Sequence, residues 1–371
     1  MISPQDDLFG HQLPTTFDHV GSSDPAWVER YWYSGHRVPA GDIVLDVGMG
    51  YYPNRNVMDC FAGISWKGTQ HNFRASRRLR GDPLATRVGP LRVEVLAGLK
   101  QHRLVLEANE SGLTFDVVFD ATMHPHEEDP HFRRRDGRVM EDMVRTGQFG
   151  RYSGWLQLNG ERVEMTPDTW FAQRDHSWGI RAQMRSDESS PPLTVYPPFF
   201  YVWCQVQFDD TALHLYAQEK SPGRMFYLSG EIVGPVGGAD GKRPRVVDFG
   251  QEVRWRPDPL GQTLDIATFR LTMNDGTTKL LELKGLPARY FLKGGLYGGL
   301  NGWAHGDDRG ALYKEHDVWD LGNAEVRRVA KTLADHVIEA RMDDKVGYGI
   351  IEYGVGKGYP MYAEIQAFPA I

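Results

Sequence analysis

The sequence predicts an all-β protein made of two consecutive antiparallel β-barrel domains with few short helices. Three observations carry that prediction. The chain has 371 residues, more than one core usually serves, so two domains follow. Aromatics make up 12% and there are 41 glycines, a mixture that aromatic strands broken by glycine turns produce and a helical bundle does not. Short segments also alternate with period two: Leu113, Phe115, Val117 and Phe119 interleave with Thr114, Asp116, Val118 and Asp120.

Taken in order, residues 1–40 read as loops with one helix over residues 25–35 (PAWVERYWYSG). Strands dominate from Asp42 to about Gly160, among them residues 91–98, 102–109 and 113–121. The proline-rich SSPPLTVYPP, residues 189–198, cannot hold regular structure for long and reads as a linker. It divides the chain into an N-terminal barrel domain, residues 1–188, and a C-terminal one, residues 189–371. Strands resume in FFYVWCQVQFDD, TALHLYAQEK, RMFYLSGEIV and EVRWRP, and then in residues 263–285, where Asn274-Asp275-Gly276 marks a hairpin turn. AEVRRVAKTLADHVIEARM is helix-friendly only in its first half. After it, Ile338, Ala340 and Met342 alternate with Val337, Glu339 and Arg341, which predicts a closing hairpin over residues 337–354. Each half is near the size of a closed barrel, an architecture that often holds an apolar ligand. The halves also echo each other: LQLNG then RDHSWG in the first, YGGLNG then KEHDVWDLG in the second.

Charge and composition exclude several classes. A net charge of −7 and a pI near 6.0 give no general affinity for nucleic acid or anionic membrane. The two cysteines, Cys60 and Cys204, are flanked by apolar or aromatic residues and read as buried free thiols. MISPQDDLFG lacks the basic and apolar regions of a signal peptide. No apolar run approaches the ~18 residues of a membrane span, so a cytoplasmic protein without an integral membrane segment is expected.

Several motifs resolve into ordinary structure. IVLDVGMGYYPN, residues 43–54, imitates a nucleotide-binding opening, but no helical stripe follows; Gly48 and Gly50 are assigned to a tight turn. HPHEEDPHF, residues 124–132, gathers three histidines and three carboxylates between prolines and reads as a solvated loop, with no metal required. The basic clusters FRASRRLRGD and FRRRDGR read as exposed charge with local acidic partners, or as an anchor for a substrate phosphate or carboxylate. GGLYGGLNGWAHGDDRG, residues 294–310, reads as bulges and tight turns. YKEHDVWD, residues 313–320, reads as a strand with Glu315, Asp317 and Trp319 on one face, forming ion pairs within the second barrel.

The densest chemistry lies in FAQRDHSWGIR, residues 171–181. Extended backbone puts Arg174, His176 and Trp178 on one face and Asp175 and Ser177 on the other. One reading is structural, an arginine–aspartate clasp beside a tryptophan plug. The other is catalytic. A histidine beside a carboxylate moves protons near neutral pH, and an apolar pocket makes the carboxyl a usable acid. Tryptophan is the best ring to face a passing cation. Together these suit proton-initiated addition or elimination of water at a carbon–carbon double bond.

Asp175-His176-Ser177-Trp178, entered from an aromatic strand and followed by Gly179, resembles the Asp-His-x-Trp segment of a lipocalin-like superfamily. That group includes bacterial carotenoid 1,2-hydratases (hydroxyneurosporene synthases), AttH-type proteins and fungal kievitone hydratase. GYYPNRNVMDCFAGISWKGTQHNFRASRRLR also resembles the first-domain signature of a related, mostly uncharacterised bacterial group. The resemblance implies two lipocalin-like barrels over nearly the whole chain, and cofactor-free chemistry on apolar, often isoprenoid or polycyclic, molecules. Arg174 departs from the more apolar residue of a carotenoid hydratase and argues against a purely hydrocarbon substrate. The expectation is therefore a cofactor-independent hydratase, dehydratase or isomerase acting on a terpenoid, steroid or polycyclic aromatic molecule. Asp175 would donate or accept the proton, and His176 would be its partner or the base that activates water. Trp178 would face the developing cation, and Arg174 would hold a substrate oxygen. Tyr51, Tyr52 and His71 are candidates for the pocket wall. The alternatives are a lipocalin-like carrier of an apolar ligand and a structural scaffold; a homodimer is compatible with any of these.

Overall fold

The computed structural model describes residues 13–79, 85–135, 137–181, 198–238, 243–258, 261–330 and 333–362. Nearly all of the expected linker, residues 189–198, lies outside them. The N-terminal half supplies β1 (Trp27–Arg37), β2 (Ile43–Tyr52), β3 (Val57–Trp66), β4 (Thr69–Arg78), β5 (Arg87–Val88), β6 (Leu91–Ala97) and β7 (Gln101–Leu106). These are followed by β8 (Leu113–Ala121), β9 (His126–Glu127), β10 (His131–Arg135), β11 (Arg138–Leu158), β12 (Glu161–Met165) and β13 (Trp170–Arg181). The C-terminal half supplies β14 (Phe200–Gln207), β15 (Ala212–Glu219), β16 (Met225–Val233), β17 (Val246–Asp258), β18 (Gly261–Met273) and β19 (Thr278–Phe291). It ends with β20 (Leu312–Asp320), the short helix α1 (Ala324–Ala330), β21 (Ala334–Met342) and β22 (Lys345–Val355).

Two nearly closed antiparallel barrels result. The first follows the order β20-β4-β3-β2-β1-β13-β11-β8-β7-β6-β5, with β9, β10 and β12 paired along the long β11. Its ends approach through β5, where the Cys60 thiol on β3 meets the Val88 carbonyl at 3.8 Å and Arg77 Nε on β4 donates to the Arg87 carbonyl at 2.7 Å. The second follows β16-β15-β14-β22-β21-β19-β18-β17 and closes through a Glu231–Arg245 bridge and the Ile232 N–H to the Pro244 carbonyl at 2.9 Å. No helix among the described residues is long and apolar enough to cross a membrane.

Inward-facing side chains fill each barrel: Tyr33, Val47, Ile64 and Phe119 belong to the first core, and Val202, Leu215, Phe269 and Ile338 to the second. A third apolar cluster joins them, with Trp32, Val44 and Phe61 packed against Trp203, Leu286, Tyr290, Val337 and Ile350. Strands β1, β2, β3 and β13 are therefore buried on both faces, one in the first core and one against the second barrel.

That seam explains three corrections. Residues 25–35 form no helix: a turn at residues 25–26 leads into β1, and its two buried faces erase the polar alternation that would have marked a strand. Gly48 and Gly50 sit inside β2, not in a turn. A Cβ on Gly48 would lie 2.2 Å from the Phe61 ring, and one on Gly50 would lie 2.6 Å from the Tyr52 hydroxyl and 2.8 Å from Asp59 Oδ1, so side chains on neighbouring positions occupy that space. YKEHDVWD does form a strand, with the Glu315, Asp317 and Trp319 face turned inward, but β20 pairs with β4 of the first barrel and not within the second, covering what would otherwise be an open edge.

Arg74, expected in an exposed basic cluster, is fully buried there and bonds Glu315 at 2.7 Å and Asp317 at 3.0 Å. RDHSWG and KEHDVWD thus occupy central and edge positions of one sheet, which are not equivalent places in two repeats. The Asn274-Asp275-Gly276 turn, the helical turns before β21, the closing hairpin and the two buried free cysteines are all present as expected.

Candidate functional site

β13 lies between β1 and β11, with Asp175 opposite Trp32 and Gly147 and His176 opposite Tyr31 and Thr146. Its alternation sends the two halves of the RDHSWG motif to different compartments.

Arg174, His176 and Trp178 enter the first barrel. Arg174 donates to Gln148 Oε1 at 2.7 Å and lies 5.8 Å over the Phe119 ring, and burial pulls its pKa down. Deeper in, the Tyr33 hydroxyl meets His102 Nδ1 at 2.6 Å. His176 Nε2 lies 2.7 Å from Glu29 Oε1, with the Tyr31 ring at 4.6 Å and the Trp178 ring at 5.0 Å. Tyr51, across from Glu29, completes this half-exposed aromatic mouth; burial, with the Glu29 charge, pushes its hydroxyl up to about 12. His71 is also inside the barrel but at the level of Ala172, through Ile64, Leu45 and Gly35, and is not beside His176.

Asp175 points the other way, into the seam between the barrels, and is 9% exposed. Arg145 Nε on β11 lies 3.3 Å from Asp175 Oδ2, and Arg145 Nη1 bonds Glu128 Oε2 at 2.8 Å. The other oxygen of Glu128 accepts from Trp203 Nε1 at 2.8 Å, with His214 Nε2 at 3.4 Å. Trp32 packs edge-on against Trp203 at 5.2 Å, and the Arg145 guanidinium lies 6.0 Å over the Tyr216 ring. Burial raises the pKa of Asp175 despite Arg145, and the nearby Glu128 charge adds to that rise. Burial, with Arg145 adding, holds His214 neutral at about 3.

HPHEEDPHF is therefore no solvated loop. His126 and Glu128 are buried at 2% and 4% exposure, because Arg145 and the Trp203 N–H draw the carboxylate inward. The sequence reading missed Glu128, Arg145, Trp203 and His214, since none of them shares a local pattern with Asp175.

Tyr52 also faces the seam, away from its neighbour Tyr51. Its hydroxyl accepts from Arg30 Nη1 at 3.1 Å and donates to Asp59 Oδ1 at 3.3 Å. A third group is made of carboxyls. Asp46 on β2 and Asp335 on β21 meet across the seam beside Ser34 and Trp32, and Glu352 accepts from the Tyr201 hydroxyl at 2.9 Å. Burial pushes all three up, Asp46 to about 7. A groove of about 580 Å³ lined by Arg37, Trp66, Lys67, Glu161 and Arg289 lies away from these groups, and none of the motif residues lines it.

Fold and site together define a protein of two lipocalin-like barrels whose seam carries buried acids, bases and aromatic rings. The chain belongs to a family of unknown function, DUF8625, whose model matches residues 2–361. The solved structure of a protein named AttH from Nitrosomonas europaea shares this fold, with a TM-score of 0.54 and 12% identity over 88% of this chain and 92% of that one. Kievitone hydratase from Nectria haematococca aligns at a TM-score of 0.42 and 12% identity, over 88% of this chain and 89% of its own. CghA aligns at 0.47 and 9% identity, over 89% of this chain and 88% of its own. No curated protein matches the chain.

Proposed function

We propose that the protein is a cofactor-independent lyase or isomerase that adds a proton to, or removes one from, a carbon of a largely apolar small molecule. Its reaction is the hydration of an alkene or the reverse dehydration of an alcohol, with Asp175 as the proton donor. The observation that supports this reading is Asp175 itself, a carboxyl with a raised pKa on an aromatic-lined seam, with one cation at 3.3 Å. In its neutral form Asp175 protonates one alkene carbon. Positive charge then develops on the neighbouring carbon, where the faces of Trp32, Trp203 and Tyr216 favour it. The carboxylate left behind gains the Arg145 guanidinium as its partner, so the same pair serves both protonation states. A positioned general acid contributes about 10²–10⁴-fold to such a step.

His176 and Trp178 are not assigned to this proton transfer, because they lie on the other side of the strand. With Arg174 and Tyr51 they form a mouth that favours a second reading, a carrier that recognises the polar end of an apolar ligand in the first barrel.

Incubation in ¹⁸O-labelled water with a panel of terpenoid, steroid and phenolic alkenes and alcohols, followed by mass spectrometry, separates the two readings. The lyase reading expects labelled water added, or unlabelled water lost, and a fall in turnover of about 100-fold or more in Asp175→Asn with ligand affinity nearly unchanged. A compound that binds, returns unchanged in mass and structure, and loses its affinity in Trp178→Ala establishes the carrier.

A further inference from the structure

Proton donation by Asp175 accounts for half of a hydration; the other half needs a base that takes a proton from water. His176 lies on the wrong face for that task. A different histidine lies on the right one. His305, in the glycine-rich tract before β20, is 3% exposed, and its Nδ1 lies 3.2 Å from Asp59 Oδ2. Asp59 is fixed in turn by the Gly306 N–H at 2.7 Å and the Tyr52 hydroxyl at 3.3 Å, and Tyr52 also binds Arg30. The circuit closes on Tyr297, whose ring lies 5.3 Å below the Arg30 guanidinium and meets the His305 ring edge-on at 5.1 Å.

Two polar atoms of this circuit are buried without any hydrogen-bond partner: Arg30 Nη2, a donor, and His305 Nε2. Asp59 carries the charge that favours a proton on Nδ1, which leaves Nε2 as an acceptor. Burial, with the Arg30 charge adding to it, lowers His305 to about 4, so the ring is uncharged at neutral pH. Arg30, Asp59 and Arg181 act on the ring, and Arg55 Nη1 donates to the His305 carbonyl at 3.1 Å. Arg30 stands on the same face of β1 as Trp32, diagonal to Asp175 on β13, and the charges of Arg30 and Asp175 act on each other. An orphaned donor and an orphaned acceptor, both beside the Tyr297 ring and both tied to the Tyr52–Asp59 pair, match the needs of one oxygen that accepts from the first and donates to the second. Buried polar atoms in folded proteins are satisfied in over 90% of cases, so an unmatched pair calls for an occupant.

We propose that Arg30 and His305 hold the reacting oxygen, as water or as the substrate hydroxyl, and that His305 Nε2 is the general base of the site. The inference rests on the lyase reading of the seam and deepens it. In hydration, the alkene π electrons take the proton from the Asp175 carboxyl. The water oxygen bonds to the neighbouring carbon, and the proton it sheds passes to His305 Nε2. The product is the alcohol, and the imidazolium and the Asp175 carboxylate then exchange one proton through solvent to restore the starting state. Dehydration runs the same transfers backwards. The substrate class is thereby narrowed to molecules with a hydroxyl, or with the double bond left by its loss. Asp59 is a positioning residue, holding the ring in the tautomer that leaves Nε2 open.

Three measurements test this, and two need no substrate. A crystal structure at about 1.5 Å or better should hold an ordered oxygen within about 3.2 Å of both Arg30 Nη2 and His305 Nε2; a dry site overturns the proposal. ¹⁵N spectra of histidine-labelled protein should find His305 Nε2 unprotonated at pH 7, with mixed tautomers in Asp59→Asn. A proton on Nε2 in the wild type overturns it equally. With an alkene from the ¹⁸O panel in deuterated water, His305→Gln should keep deuterium wash-in at the alkene carbon while hydration falls about 100-fold or more. If both survive, or both fall together, His305 is not the base. If Asp175→Asn leaves both intact, the lyase reading fails on Asp175, while the oxygen position and the tautomer still decide the Arg30–His305 site.

Discussion

Replacing Asp46 by asparagine should stabilise the protein, and by more as the pH rises. Asp46 is fully buried on the seam face of β2, facing Asp335 from β21, with Ser34, Trp32 and Glu352 around them. Burial pushes its carboxyl to about 7, from 3.8 in the unfolded chain. The folded state therefore holds a proton that the unfolded chain releases, and stability falls as the pH rises from about 4 through about 7. A difference of about three pKa units at about 1.36 kcal/mol each sets the full penalty near 4 kcal/mol at pH 8. The proton belongs to the Asp46–Asp335 pair as a whole, and an asparagine amide puts a permanent N–H donor in place of that shared O–H. Asp46→Asn should thus match the wild type near pH 4 and exceed it by up to about 4 kcal/mol at pH 8. Guanidinium titrations at both pH values, followed by the fluorescence of the seam tryptophans, read this directly. An asparagine variant that is no more stable at pH 8 than the wild type would mean that Asp46 ionises in the fold near its ordinary value and at no cost, and the desolvation argument would fail.

Other perturbations follow from the same geometry. Arg74→Met leaves Glu315 and Asp317 without their buried partner and should cost about 3–5 kcal/mol, with hydrogen exchange accelerating first in residues 312–320 and not in β14. Gly50→Ala places a methyl group 2.6 Å from the Tyr52 hydroxyl and 2.8 Å from Asp59. Thermal denaturation should show a loss of about 1–3 kcal/mol, and crystallography should show the Arg30–Tyr52–Asp59 circuit displaced while the first core stays in place. Asp175→Asn should spare ligand binding while removing turnover, as the ¹⁸O measurement reads.

Strands with one wet face were legible from sequence, and strands with two dry faces were not. Leu113 to Ala121 shows its period because Thr114, Asp116 and Asp120 look outward, and the closing hairpin shows its own for the same reason. In β1 the outward positions hold Arg30, Trp32 and Ser34, all buried, so no face is consistently polar and the aromatic run passes for a helix. The placement of β20 was illegible for a different reason. Its division into two faces was correct, but a strand's own pattern does not say which neighbour covers it. Only the long-range pairing with β4, sealed by Arg74, decides that.

The site follows the same logic. RDHSWG was legible as a concentration of chemistry, but a motif on a strand buried on both faces is two half-motifs, each completed by different neighbours. His176 is completed by Glu29 and Tyr31 inside the first barrel, and Asp175 by Arg145 and the Trp32–Trp203 wall in the seam. Adjacency in sequence therefore works against a shared role. The partner suited to Asp175 must come from an element whose side chains reach the same face, and three supply that face: β11 gives Arg145, β1 gives Arg30, and the turn tract before β20 gives His305. The glycines that made the tract read as mere turns are consistent with the histidine's role. Gly306 has φ of +74°, and its N–H, turned toward Asp59, fixes the carboxylate that orients His305.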